Sequence, residues 1–157
     1  MGILCGKINK EDENMKKVYL AAPFETLECK SNAIQASTIL GLKGFDVYCP
    51  WKYKIPNAWD YPNDEWGAMV FATDIKAIQD ADLVVVLSYG RYSTAGTNWE
   101  AGYAFGIGKK VIVVEMTGKI MSVMVSNGRY ATVEGLNELE SYDFNQMPQK
   151  RSYTEQK

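Results

Sequence analysis

Apolar residues along this chain fall in short runs, separated by stretches in which they recur at helical spacing. Lys17 to Ala21 is a strand-length apolar run, ended by Ala22-Pro23-Phe24. Glu25 to Leu42 predicts a helix with Ile34, Ser37, Thr38 and Leu42 on one face, closed by Gly41 or Gly44. Phe45 to Tyr48 predicts a second strand, stopped by Pro50. Trp51 to Asp64 is rich in aromatics, Pro and Asn and has no period, which reads as a long loop of the kind that often carries function. Asn63-Asp64-Glu65 can cap a helix reaching about Ala81, with Trp66, Met69, Val70, Thr73, Ala77 and Ile78 as its apolar stripe. Leu83 to Leu87 is the strongest strand signal, and its unbroken Val run suits a parallel strand covered on both faces. Ser88 to Gly96 follows as a loop, and Thr97 can cap a helix from Asn98 to about Gly108. Lys110 to Glu115 predicts the next strand. Beyond it lie a short helix near Ile120 to Ser126, a short strand near Arg129 to Thr132, and a last helix from Val133 to about Tyr142.

Strands alternating with helices predict an α/β domain: an open, mostly parallel five-stranded sheet with helices on both faces, flavodoxin/Rossmann-like. The expected organisation is a flexible N-terminal extension over 1–16, a catalytic domain over 17–148 and a polar tail over 149–157. Sheets of this type bind ligands beyond the carboxyl ends of their strands. Ala21 to Glu25, Ser88 to Thr97 and the residues after Glu115 are therefore the segments to watch.

Composition narrows the chemistry. The 157 residues fit one domain, with 46% hydrophobic and 23% charged residues. A net charge of -2, from 17 basic and 19 acidic residues, argues against a nucleic-acid-binding surface. No apolar run approaches the roughly 20 residues that span a bilayer, so no membrane partner is expected. Cys5, Cys29 and Cys49 are widely spaced without a CxxC pair, which reads as structural thiols in a reducing cytoplasm. The chain contains no histidine. Ser-His-Asp triads, Cys-His pairs and His-ligated zinc are thereby removed, and acid–base or nucleophilic work falls to carboxylates, Tyr, Lys or Cys. No metal or cofactor is expected; Gly106-Ile107-Gly108 precedes a strand and reads as a helix stop rather than a phosphate loop.

Two carboxylates stand out. Glu100 follows the Gly96-Thr97 turn by a few residues, at the predicted ligand edge. Ser/Thr-x-x-Glu is equally a common helix start, so spacing alone leaves capping box and reactive group both open. Asp74 sits amid Ala72, Ile75, Ala77 and Ile78, where partial burial would raise its pKa, although a solvated helical Asp is the plainer reading. Asp80 and Asp82 flank the Val strand as turn or capping residues. Trp51 and Trp59, in the long loop, are the better base-stacking candidates among the tryptophans.

Taken in order, several blocks resemble the nucleoside 2-deoxyribosyltransferase family. They are Val18-Tyr19-Leu20-Ala21-Ala22-Pro23-Phe24, Asp74-Ile75-Lys76-Ala77-Ile78 with Asp80-Ala81-Asp82, Gly96-Thr97-Asn98-Trp99-Glu100-Ala101-Gly102-Tyr103-Ala104, Ser126-Asn127 and Tyr142-Asp143-Phe144-Asn145. The resemblance spans about Lys17 to Pro148. It implies that Glu100 is the nucleophile that attacks the anomeric carbon, that Asp74 manages the proton of the base, and that Tyr19 orients the nucleophile. It implies substrate contacts from the first-strand edge (Ala22, Phe24), from Trp51, and from the loop before the nucleophile (Ser93, Thr94, Gly96). Nucleosides and free nucleobases are the implied small-molecule partners. Asn127 would be lent to a neighbouring subunit in a homo-oligomer, dimer or hexamer. One position departs. Transferases of the family carry an aspartate six residues before the nucleophile, where this chain has Thr94 beside Ser93. Nucleotide N-glycosidase relatives place a serine there for a 5′-phosphate, and Arg91 could assist one. The resemblance thus implies base exchange first and nucleoside 5′-monophosphate hydrolysis second.

Overall fold

The computed structural model describes residues 15–90, 94–118 and 121–150. Five strands form one sheet: β1 (Lys17–Ala21), β2 (Asp46–Tyr48), β3 (Leu83–Ser88), β4 (Lys110–Glu115) and β5 (Ala131–Glu134). Their order is β2-β1-β3-β4-β5, and every pairing is parallel rather than mostly so. The connecting helices are α1 (Leu27–Leu42), α2 (Asn63–Asp80), α3 (Ala95–Gly106) and α4 (Val123–Gly128), with α5 (Gly135–Ser141) after the last strand. The chain steps one way from β1 to β2, then back across the sheet to β3, β4 and β5. Right-handed crossovers therefore put α1 on one face and α2, α3 and α4 on the other. The reversal falls between β1 and β3, the crevice where sheets of this order take ligands.

Side chains alternate across the strands. Val18, Leu20, Leu83, Val85, Leu87, Ile112 and Val114 pack with Ala33, Ala36, Leu40 and Leu139 under α1 and α5. Tyr19, Ala21, Val84, Val86, Val111 and Val113 pack with Ile78, Ala101 and Ala104 under α2 and α3. Thr26 caps α1, its Oγ1 accepting from the Cys29 amide at 3.1 Å. Gly44, at φ 88°, turns the chain from α1 into β2 in a conformation most side chains avoid.

The helix faces and ends differ from the pattern-based expectation in places. In α1 the buried residues are Ala33, Ala36, Ser37 and Leu40, whereas Ile34 is 52% and Leu42 85% exposed. Small residues let the helix lie close to the sheet, so the buried stripe is rotated off the bulkiest side chains. In α2 only Ile78 is fully buried, and Trp66 is exposed. The long loop carries single 3₁₀ turns at Pro50–Lys52 and Ala58–Asp60. Helix α3 begins at Ala95, with Thr94 at the N-cap position but making no side-chain capping bond, so Thr97 lies inside it, buried, and is not its cap. The last strand and helix start two residues later than predicted. The expected extension over 1–16 and tail over 149–157 lie mostly outside the described residues.

Candidate active site

The site is built by register. Tyr19 and Tyr48 are partners across the parallel β1–β2 pair, so their side chains leave the sheet on the same face. Their rings stack at 5.4 Å and 15°, and Tyr53 stacks on Tyr48 at 4.3 Å. Helix α2 brings Asp74 to this stack and α3 brings Glu100. The Tyr19 hydroxyl donates to Glu100 Oε1 at 2.7 Å. The Tyr48 hydroxyl donates to Asp74 Oδ1 at 2.9 Å. Two carboxyls are thus each held by a tyrosine, and the two tyrosines lie face to face.

Burial sets the protonation of all four groups. It pushes the Glu100 carboxyl up to about 7; the Tyr19 hydrogen bond opposes this and the Asp74 charge adds to it. Burial likewise raises Asp74, against the hydrogen bond from Tyr48. The Tyr19 phenol is driven far above its usual range by burial and by the Glu100 charge, and the Tyr48 phenol moves the same way through burial and Asp74. Both hydroxyls therefore keep their protons and act as donors. Glu100 exchanges its proton near neutrality.

A cavity of about 330 Å³ opens on the two carboxyls, lined by Phe71, Asp74, Ile75, Ile78, Gly96, Trp99 and Glu100. Trp99 meets Phe71 edge-on at 5.5 Å and stacks on Tyr103 at 5.5 Å. The arrangement offers a half-buried carboxylate able to attack an electrophilic carbon, a second carboxyl able to carry a proton, and flat apolar walls. Those are the parts required to break a glycosidic bond to an aromatic base in two displacements.

Of the residues singled out from sequence, Tyr19, Asp74, Glu100 and Gly96 come together here. The capping box between Thr97 and Glu100 does not form, because Glu100 is turned to Tyr19 instead. Thr97 shares a hydrogen bond with Thr94, Oγ1 to Oγ1 at 2.8 Å, at the entry to α3. Phe24 and Trp51 stack on each other at 4.8 Å and 12°, and with Ala22 they pack against the α1/α5 side of the sheet. They stand at the carboxyl edge without lining the 330 Å³ cavity. Asn127 is exposed on α4, donates to the Val123 carbonyl at 2.7 Å, and borders a separate groove between α3 and α4. Trp59 is fully exposed. Ser93 and Arg91 lie outside the described residues. Sequence reasoning passed over Tyr48 and Phe71. The available signal for Tyr48 was its place in a second short strand, ending like Tyr19's at the ligand edge. Asp80 pairs with Lys76 at 2.5 Å, and Asp82 accepts from the Lys17 amide at 2.7 Å, both structural contacts. Among the described residues no group of three or more His, Cys, Asp or Glu could hold a metal ion. No described helix is long and apolar enough to cross a membrane.

The fold is a doubly wound parallel sheet that carries a tyrosine-held carboxylate pair, Glu100 and Asp74, on one face. The family model for nucleoside 2-deoxyribosyltransferases matches residues 18–147, and the chain belongs to that family. A 2-deoxyribosyltransferase from Bacillus psychrosaccharolyticus is 31% identical; the match covers 87% of this chain and 99% of that one at a TM-score of 0.81. A conserved protein of Enterococcus faecalis V583 is 27% identical, covering 67% and 66% of the two chains at a TM-score of 0.55. The CMP N-glycosidase BcmB of Clostridium botulinum shares the fold at 21% identity, covering 80% and 96% at a TM-score of 0.57. No protein of curated function matches the chain.

Proposed function

We propose that the protein exchanges nucleobases on 2-deoxyribose through a covalent glycosyl-Glu100 intermediate, with retention at the anomeric carbon. The Glu100 carboxylate attacks C1′ as the C1′–N bond breaks, and the electron pair leaves with the base. Tyr19 holds the attacking carboxylate. Asp74 delivers the proton that a departing base anion needs, a contribution of typically ~10²–10⁴-fold. A second base then attacks the same carbon from the vacated side, gives its N–H proton to the Asp74 carboxylate and releases Glu100 as a carboxylate. The single observation that carries this reading is the 2.7 Å hydrogen bond between Tyr19 and Glu100 on a cavity shared with Asp74. Ala22, Phe24, Trp51, Ser93 and Thr94 remain the proposed substrate contacts.

The same reading makes the enzyme a cytoplasmic homo-oligomer of nucleotide salvage. Cys29 and Cys49 are free thiols, as a reducing compartment keeps them. Asn127 does not line the Glu100 cavity of its own chain. It borders an apolar groove of about 290 Å³ with exposed Phe105 and Met124, a surface suited to a second copy that would receive Asn127 in its own site.

Incubating deoxyinosine or thymidine with free adenine tests the proposal: deoxyadenosine is the expected product, and free base and sugar alone would contradict it. One observation favours a second reading. Thr94, hydrogen-bonded to Thr97, stands where the family's transferases carry an aspartate. A nucleoside 5′-monophosphate N-glycosidase would release base from the monophosphate alone, and the same assay with a deoxynucleotide separates the two.

A further inference from the structure

We propose that Tyr48 is the positioning residue for base departure, its hydroxyl fixing the Asp74 carboxyl so that the transferable proton sits on Oδ2, toward the cavity. The inference deepens the base-exchange reading and rests on it for its chemical consequence.

Asp74 and Tyr48 open on different spaces. Asp74 lines the cavity with Glu100, whereas Tyr48 lines a different cavity, of about 240 Å³, on the other side of α2 with Thr73, Lys76 and Ala77. Tyr48 therefore reaches Asp74 from behind. Its hydroxyl donates to Oδ1 at 2.9 Å. A neutral carboxyl has one hydroxyl oxygen and one carbonyl oxygen. An acceptor bond at Oδ1 makes that atom the carbonyl oxygen and leaves the proton on Oδ2. The donor is fixed in place because its ring is stacked on Tyr19 at one face and Tyr53 at the other. The titratable groups around Asp74 are Tyr48 from β2, Tyr19 from β1 and Glu100 from α3, and among them only Tyr48 is hydrogen-bonded to it. Lys76, on the same helix, is engaged with Asp80.

The consequence lies in the transition state. As the Glu100–C1′ bond forms and the C1′–N pair moves onto the base, the Oδ2 proton passes to a base nitrogen and Asp74 becomes a carboxylate. The Tyr48 bond is then charge-assisted and stronger than before transfer. An interaction that strengthens along the reaction lowers its barrier, whereas one of constant strength does not.

The test is Tyr48→Phe, which keeps the ring and removes the donor. The Asp74 carboxyl is titrated by carbon-13 NMR in substrate-free protein, with its resonance assigned by Asp74→Asn. Loss of the donor is expected to raise the Asp74 pKa, because the Tyr48 hydrogen bond holds it down against burial. In base exchange, kcat and kcat/KM are expected to fall together by about tenfold or more. The pH dependence of base exchange is expected to move in the same direction as the Asp74 titration seen by NMR. Should the variant fail to fold, 3-fluorotyrosine at position 48, a stronger donor, is expected to move the Asp74 titration downward. An Asp74 titration unmoved in an enzyme that exchanges bases overturns the proposal and leaves the base-exchange reading intact. A moved titration with kcat within twofold and an unmoved pH dependence of exchange overturns the positioning role. A wild-type protein that exchanges no bases sinks the base-exchange reading, while the titration still decides whether Tyr48 governs Asp74.

Discussion

The two faces of the sheet come from the same strands and do different things. On the α1/α5 face, alternate residues of β1 and β3 — Val18, Leu20, Val85, Leu87 — pack in an apolar cluster. On the α2/α3 face, one residue out of step, Tyr19 is buried as completely as Leu20 but carries a hydroxyl that must find a partner. It finds Glu100, and Tyr48 finds Asp74. A face built only for stability would not bring two carboxylates to it, since burying each raises its pKa and costs stability at neutral pH. The helices differ in the same sense. The apolar residues that α1 exposes are aliphatic (Leu27, Ile34 and Leu42), whereas α2 and α3 expose the aromatic Phe71, Trp99 and Phe105.

Substitutions on the two faces should therefore fail differently. Glu100→Ala is expected to abolish base exchange, by on the order of 10⁴-fold or more, while the protein stays folded; retained exchange at the wild-type rate would remove Glu100 from the reaction. Asp74→Asn is expected to cost ~10²–10⁴-fold in kcat, with the deficit largest for bases that leave poorly as anions. A deficit equal for good and poor leaving bases would argue against proton delivery. On the opposite face Leu20→Ala is expected to lose about 2–5 kcal/mol of stability in denaturant titration, with residual folded protein still active. A change under about 1 kcal/mol would mean that the site lets the cavity collapse.

The smallest effect is in pH. The folded Glu100 carboxyl holds its proton up to about 7, against 4.5 for an unperturbed group. The stabilising contribution of the protonated form is complete below the unfolded value and is lost as pH rises through the folded one, each tenfold difference in proton affinity being worth about 1.4 kcal/mol. Glu100→Gln, which keeps an acceptor for Tyr19, should melt several degrees above wild type at pH 8 and together with it near pH 4. Equal melting at both pH values would mean that Glu100 is not strained by burial. Activity runs the other way: the attacking form is the carboxylate, so exchange by the wild type should decline as pH falls below about 7.

Much of this was legible in the chain. The Val run of β3, the short β1 and the alternation of strands with helices specify a parallel sheet whose ligand edge can be named from the pattern alone. Tyr19, Asp74 and Glu100 were reachable as a set because their blocks resemble one family. What periodicity could not supply was rotation and register. It placed Ile34 and Leu42 inward on α1, because large apolar residues dominate a pattern while Ala33 and Ala36 set the close approach. It read Thr97 as a cap, because the motif is local, whereas the actual partner of Glu100 is far along the chain at Tyr19. Tyr48 was missed for the same reason: its pairing opposite Tyr19 exists only once β1 and β2 are in register.

The mechanism stands or falls on Glu100 carrying the sugar between bases. Intact-protein and peptide mass spectrometry after incubation with a 2-deoxy-2-fluoro-arabinosyl nucleoside, in the absence of acceptor base, tests this directly. The fluorine slows both displacements and should let the glycosyl-enzyme accumulate. The expected result is one sugar per chain, attached to the peptide that contains Glu100 and released as a new nucleoside when adenine is added. A turnover-competent enzyme that forms no adduct, or one that carries the sugar at another residue, would contradict it.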